Sequence, residues 1–151
     1  MASVGSEIEV RMRVIRLLPC VIAIFVAMAQ AAPAAEVLFE CTFKKRGSRD
    51  GGWIPEELVL THDAATGAVK VFDTVIDYFV GSPIKAEIKT ETQQRISFGW
   101  IVTTKDPAKQ QIPMAYTLNY FKDGRPATMS AIPGGYDNNF SGSGVCKRST
   151  L

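Results

Sequence analysis

The stretch FSGSGVCK, Phe140 to Lys147, decides the fold once it is set beside VLFECTFK, Val37 to Lys44. Each carries one cysteine, Cys41 or Cys146, and most of the chain lies between them. Val37, Phe39, Cys41 and Phe43 recur at a spacing of two in the early segment, as do Phe140, Gly142, Gly144 and Cys146 in the late one. Successive side chains of a strand point to opposite faces, so each cysteine is expected on the face that its apolar neighbours bury. We read the two segments as the first and last strands of one antiparallel domain, tied together from inside by a Cys41–Cys146 disulfide.

The third cysteine, Cys20, falls in a segment of another kind. Arg11, Arg13 and Arg16 precede the apolar run LLPCVIAIFVAMA, Leu17 to Ala29, and small residues follow it. A basic start, a short apolar core and an Ala-x-Ala exit describe a secretory signal, here residues 1–31. Cleavage is expected at Ala29-Gln30-Ala31, with Ala32-Pro33-Ala34 as the second choice; Met12 competes with Met1 as the start. The alternative is a retained anchor, since Leu17 to Ala35 just reaches spanning length. Removal of the signal leaves two cysteines for an oxidising compartment, periplasmic or secreted, and hence a disulfide. A five-residue linker, 32–36, then precedes a single β domain, 37–148, with a short tail, 149–151.

Charge excludes one class of partner. Three of the 17 basic and two of the 15 acidic residues precede Ala32, leaving 14 and 13 in the exported part. That balance offers no field for nucleic acid. The basic cluster Lys44, Lys45, Arg46 and Arg49 has no aromatic residues interleaved and reads as a solvated loop.

Between the two cysteine segments, strand patterns alternate with turn residues. Pro55 restricts the early part of WIPEELVLTH, Trp53 to His62, in which Leu58 and Leu60 share a face. Ala68 to Phe72 follows a DAATG turn. DTVIDYFV, Asp73 to Val80, fits a short helix or an irregular strand. IKAEIKTE, Ile84 to Glu91, alternates cleanly, with Ile84, Ala86 and Ile88 on one face. RISFGWIVTT, Arg95 to Thr104, puts Ile96, Phe98, Trp100 and Val102 on one face, and Gly99 opposite is a candidate bulge. In IPMAYTLNYFK, Ile112 to Lys122, Met114, Tyr116, Leu118 and Tyr120 are in step. Asp123-Gly124 signals a two-residue hairpin leading into Arg125 to Ile132. PGGYDNN, Pro133 to Asn139, is the last loop. Seven or eight strands with their ends linked predict a small antiparallel meander barrel, which removes both sheet edges. The alternative is a two-sheet sandwich. Gly142 and Gly144, in phase with Cys146, are expected to let the seam pack closely.

Catalytic signatures are sparse. His62 is the only histidine, beside Asp63 at a turn, and is expected to be solvated or to cap that turn. A zinc site requires more ligands. Ser141 and Ser143 do not form a nucleophile elbow, and Glu56 and Glu57 face opposite ways on a strand. No phosphate-binding glycine loop and no cofactor motif is present. Asp137, Asn138 and Asn139 suit a turn better than a calcium site. Asn139-Phe140-Ser141 matches a glycosylation acceptor, relevant only in a eukaryotic source. The inward rings and thioether of Phe98, Trp100, Met114, Tyr116 and Tyr120, with Trp53 at one end, form either a filled core or the lining of a cavity for one apolar ligand.

Four stretches carry a resemblance: GGWIPEELVLTHD (Gly51 to Asp63), YFVGSPIKAEI (Tyr78 to Ile88), the Phe98–Trp100 pair, and IPGGYDNNFSGSGVC (Ile132 to Cys146). They resemble a family of small exported alphaproteobacterial proteins to which no activity is attached. The resemblance implies a signal peptide, the cysteine pair and a bacterial source, and it transfers no catalytic or binding residue. More loosely, the chain resembles small exported barrels that inhibit lysozyme, without a shared residue motif.

The expected function is that of a non-enzymatic binding module, for an envelope partner protein or a small apolar ligand. The loop residues Gly134, Gly135, Tyr136, Asp137, Asn138 and Asn139 are the expected contact surface, because loops on a rigid scaffold commonly carry function. The alternatives are a hydrolase using carboxylates such as Asp63, Asp73 and Asp77, and a purely structural envelope component.

Overall fold

In the computed structural model, which describes residues 35–44, 52–106 and 108–151, eight antiparallel strands follow in chain order and close into a barrel. The strands are β1 (Glu36–Phe43), β2 (Glu57–Asp63), β3 (Val69–Asp73), β4 (Ile84–Glu91), β5 (Arg95–Lys105), β6 (Gln111–Phe121), β7 (Ala127–Pro133) and β8 (Phe140–Thr150). One helix, α1 (Thr74–Phe79), links β3 to β4. The signal segment 1–31 with its cleavage sites, and Lys45, Arg46 and Arg49, lie outside the described residues.

The seam joins β1 to β8. Cys41 pairs directly with Cys146, their Cα atoms 4.0 Å apart, and the two sulfurs are bonded. Phe43 pairs with Gly144 one step further on. The four residues expected to face inward from β1 (Val37, Phe39, Cys41, Phe43) are buried, as are Gly142 and Gly144 of β8. The meander barrel is therefore correct, and the two-sheet sandwich is not the fold.

The interior is packed with side chains. Phe39, Leu60, Ile76, Phe98, Leu118 and Ala131 are fully buried, and Met114 and Tyr116 nearly so. Phe39 meets the edges of Phe98 and Tyr120 at 5.3 and 5.0 Å between centroids. The outer wall carries Lys70, Lys85, Glu87, Lys89 and Glu91 in exposed positions. The interior is thus apolar, while the outer faces of β3 and β4 are charged. Among the described residues no helix is long and apolar enough to cross a membrane.

Several local expectations need correction. The strand predicted from Trp53 begins only at Glu57, because Pro55 has no N–H to give a ladder and Ile54 and Pro55 turn inward instead. The ambiguous segment after β3 is a helix: Asp73 caps it, and Gly81 ends it by donating its N–H back to the Ile76 carbonyl. The bulge lies in β4 at Lys89, between the Ile88–Phe98 and Thr90–Ser97 pairs, and not at Gly99. Gly99 instead lets the Lys89 side chain cross it, since a Cβ there would come within 2.7 Å of Lys89 Cε. Asp123-Gly124 does not make a two-residue hairpin. Pro126 cannot join the β6 ladder, so β7 starts at Ala127 and the turn closes between Phe121 and Gly124. At the C-terminus the expected tail is strand, with Ser149 and Thr150 pairing with Leu38 and Val37.

These connections sort themselves to the two ends of the barrel. The approach to β2, helix α1, and the β5–β6 and β7–β8 loops gather at one end, called here the helix end. The β2–β3, β4–β5 and β6–β7 turns and the start of β1 gather at the other.

Candidate functional site

Alternation along the strands sends Thr104 of β5, Ile112 and Met114 of β6, Pro133 of β7 and Phe140 of β8 inward where those strands reach the helix end. A pocket of about 380 Å³ opens there. These five residues line it together with Trp53, Lys105, Asp106, Tyr136 and Asn138. Pockets of this size are large enough for a small ligand of one or two rings.

Aromatic rings frame the mouth. Trp53 stacks on Phe79 of α1, with centroids 6.2 Å apart and planes 15° apart. On its other side it lies 6.4 Å from Phe140, and Tyr78 meets Phe79 edge-on at 4.8 Å. A continuous chain of four rings therefore crosses the helix end. Tyr78, at one end of this chain, is 83% exposed, and Tyr136 in the pocket lining is 51% exposed. Two of the pocket's polar groups are engaged in structure. The Thr104 hydroxyl donates to the Ile112 carbonyl at 2.9 Å, and Asp106 Oδ1 accepts from the Gln110 N–H at 2.8 Å.

The ring set expected to be either core or cavity divides between the two. Phe98, Trp100 and Tyr116 are packed core; Met114 is core on one side and pocket floor on the other; Tyr120 is half-buried toward the opposite end. Of the loop residues, Tyr136 and Asn138 line the pocket, whereas Gly134, Gly135, Asp137 and Asn139 are exposed beside it. Phe140 is expected to share a face with Gly142, Gly144 and Cys146 but not to line a pocket, and Thr104, Ile112 and Pro133 carry no site signal in the sequence. Each is the last inward-facing residue of its strand at that end, and only the strand ends, not the alternation itself, could have marked them.

The carboxylates do not gather. Asp63 closes the β2–β3 turn, accepting from the Ala65 N–H at 2.8 Å and the Thr66 hydroxyl at 2.7 Å, bonds that hold its carboxyl below the ordinary range. It is Asp63, and not His62, that caps this turn; His62 is half-buried within β2. Asp73 lies at the helix end, the length of β3 away from Asp63, and Asp77 is exposed on α1. Among the described residues no three His, Cys, Asp or Glu side chains come together as a metal site. A second, smaller pocket at the far end holds Glu91, Lys122 and Arg148, where Lys122 Nζ donates to Glu91 Oε1 at 2.9 Å.

Asp73 is the unusual carboxylate. It is 4% exposed, and its Oδ1 accepts the N–H groups of Val75 and Ile76 at 2.8 Å each, capping α1. Burial pushes its carboxyl upward, with those two hydrogen bonds opposing in part. A folded-state value above the unfolded one favours the protonated form on folding. The associated stability is complete below the unfolded value, about 3.9, and is lost as pH rises through the folded value. Asp73→Asn cannot ionise. The wild-type melting temperature is therefore expected to fall relative to that of Asp73→Asn between about pH 3.5 and pH 7; parallel pH profiles would refute the assignment. Asp73→Ala removes the cap as well, at about 1 kcal/mol.

Comparison of the chain with protein-family models, with curated proteins and with solved structures returned no match.

Proposed function

We propose that the chain is an exported, non-enzymatic binding module that takes a small, largely apolar, ring-containing ligand at the helix end of its barrel. The observation that carries this reading is the pocket of about 380 Å³ framed by Trp53, Phe140 and Tyr136 above a floor of Met114. Flat rings and a polarisable thioether present an adaptable apolar surface that suits a planar guest. A periplasmic or secreted location, reached through the N-terminal signal segment, accords with the Cys41–Cys146 bond, since such bonds persist in oxidising compartments. The distance between Asp63 and Asp73 favours binding over carboxylate hydrolysis.

A neutral fluorescent aromatic, N-phenyl-1-naphthylamine, serves as the probe. Binding is expected to enhance its emission, and Tyr136→Ala or Phe140→Ala to weaken it about tenfold each, the equivalent of roughly 1.4 kcal/mol per ring. Tyr78→Ala, which removes a ring outside the pocket, is expected to leave the affinity unchanged. Equal affinity in all four proteins would overturn the assignment of the site.

A second reading, a partner protein docked at the same end, is favoured by the exposure of Tyr78 and Tyr136. Tyrosines of this kind are enriched at interface hot spots. Under that reading Tyr78→Ala weakens partner binding while the naphthylamine affinity stays unchanged.

A further inference from the structure

Among the described residues, three buried side-chain polar atoms of the barrel have no hydrogen-bond partner: Asp73 Oδ2, Trp100 Nε1 and the Tyr116 hydroxyl. Their residues are only 4%, 5% and 2% exposed. Buried polar groups are almost always paired, and each orphan carries a desolvation cost. One such atom is an irregularity; three in one small barrel point to a common partner.

Trp100 and Tyr116 are cross-strand neighbours, and α1, which Asp73 caps, packs against β5, the strand that carries Trp100. The Trp100 and Tyr116 rings lie 5.5 Å apart and 4° from parallel. Asp73 is buried at the end of β3, where its Oδ1 caps α1. Its charge, together with burial, pushes the Tyr116 hydroxyl upward. The ladder beside Asp73 is also short. The β3–β4 ladder ends at the Val71–Ile84 pair, so Asp73 lies beyond it, where α1 connects the two strands.

Hydrogen-bond inventory selects the occupant. Trp100 offers a donor only, Tyr116 a donor and an acceptor, and Asp73 Oδ2 an acceptor when ionised. One group that accepts from the indole and the phenol and donates to the carboxylate completes the set. A hydroxyl, a primary amide or water does so. An anion would face the carboxylate. A cation would face the indole N–H and a carboxylate already engaged by two backbone N–H groups.

We propose that Asp73, Trp100 and Tyr116 form an internal binding site for one neutral group carrying both a hydrogen-bond donor and an acceptor. The site is distinct from the ring-framed pocket, to whose lining none of the three belongs. The group is either a permanent water or the polar head of a small ligand that enters beneath α1.

The test rests on a sign. Tyr116→Phe deletes one oxygen and leaves the ring stack in place. If the hydroxyl is satisfied by a bound group, the variant unfolds at lower denaturant than wild type. If the hydroxyl is a true orphan, its removal leaves the midpoint unchanged or raises it, and the proposal fails. A second readout is independent of stability. In the full exported protein, NMR is expected to give a through-space cross-peak from the Trp100 Nε1 proton to a bound group; exposure of that proton to nothing but aliphatic neighbours overturns the site. Native mass spectrometry then identifies the source: the bare chain mass means water, and a discrete increment lost in Tyr116→Phe means a retained ligand.

Discussion

Replacing Cys41 and Cys146 together by alanine is expected to destabilise the domain by about 4–5 kcal/mol, the chain-entropy value for a loop of this length. The two cysteines are 105 positions apart, so their bond removes long-range freedom from the unfolded chain that no local contact restricts. That amount is comparable to the whole stability of many domains of this size. Urea denaturation of the oxidised protein and of the double variant measures it directly, and mass spectrometry with and without reductant should show two protons gained on reduction. Coincident midpoints would mean that the seam is held by its ladder alone. The bond matters for position as well. A closed antiparallel barrel has one ladder that joins the ends of the chain, β1 to β8, and this is the pairing with the greatest loop-closure cost.

The second large effect falls on the same seam. A Cβ at Gly144 would collide with the Thr42 carbonyl oxygen and would stand 2.8 Å from Phe43 Cδ1 and 2.9 Å from Phe43 Cα. Two of these three atoms are backbone, and they belong to the strand that Gly144 pairs with, so relief requires the ladder to open. Gly144→Val is accordingly expected to cost about 3 kcal/mol, the upper end of ordinary overpacking. Gly142 provides an internal comparison. Its Cβ would meet Ile54 Cγ2 at 2.8 Å, the tip of a side chain that can turn aside, so Gly142→Ala should cost clearly less. Val145→Ala, on the outward face next to Gly144 and 69% exposed, should change stability by about 0.5 kcal/mol or less. Thermal melts of the three variants would expose an error in the seam: similar losses at Gly142 and Gly144, or a large one at Val145, contradict the inward phase of β8.

The fold was legible because two kinds of information agreed. Period-two burial in β1, β4, β5 and β6 set the faces, and the cysteine pair linked the first strand to the last, a long-range constraint that local pattern lacks. Prolines and turns were harder to read. Pro55 and Pro126 each delayed a strand by removing a ladder donor. The Lys89 bulge left no mark in the clean alternation of IKAEIKTE, because a bulge is set by how two strands fit and not by either alone. The candidate site was legible only in part. Tyr136 and Trp53 stood out as rings in loops, and Met114 as an inward residue. Phe140, Ile112 and Pro133 join them only because β6, β7 and β8 end at one level, which is a property of the closed barrel. The orphan atoms of Asp73, Trp100 and Tyr116 were beyond reach in the same way. In the string Asp73 opens a segment that fits a short helix or an irregular strand, and nothing there indicates that one of its oxygens is buried without a partner.

The central claim is that ligands enter at the helix end, and the two methionines of the barrel test it directly. Met114 forms the pocket floor, while Met129, equally buried, is not part of that lining. With both methyl groups labelled with carbon-13, titration with N-phenyl-1-naphthylamine should displace the Met114 methyl resonance by ring current and leave that of Met129 in place. Movement of Met129 alone, or of neither methyl at saturating probe, would contradict the assignment.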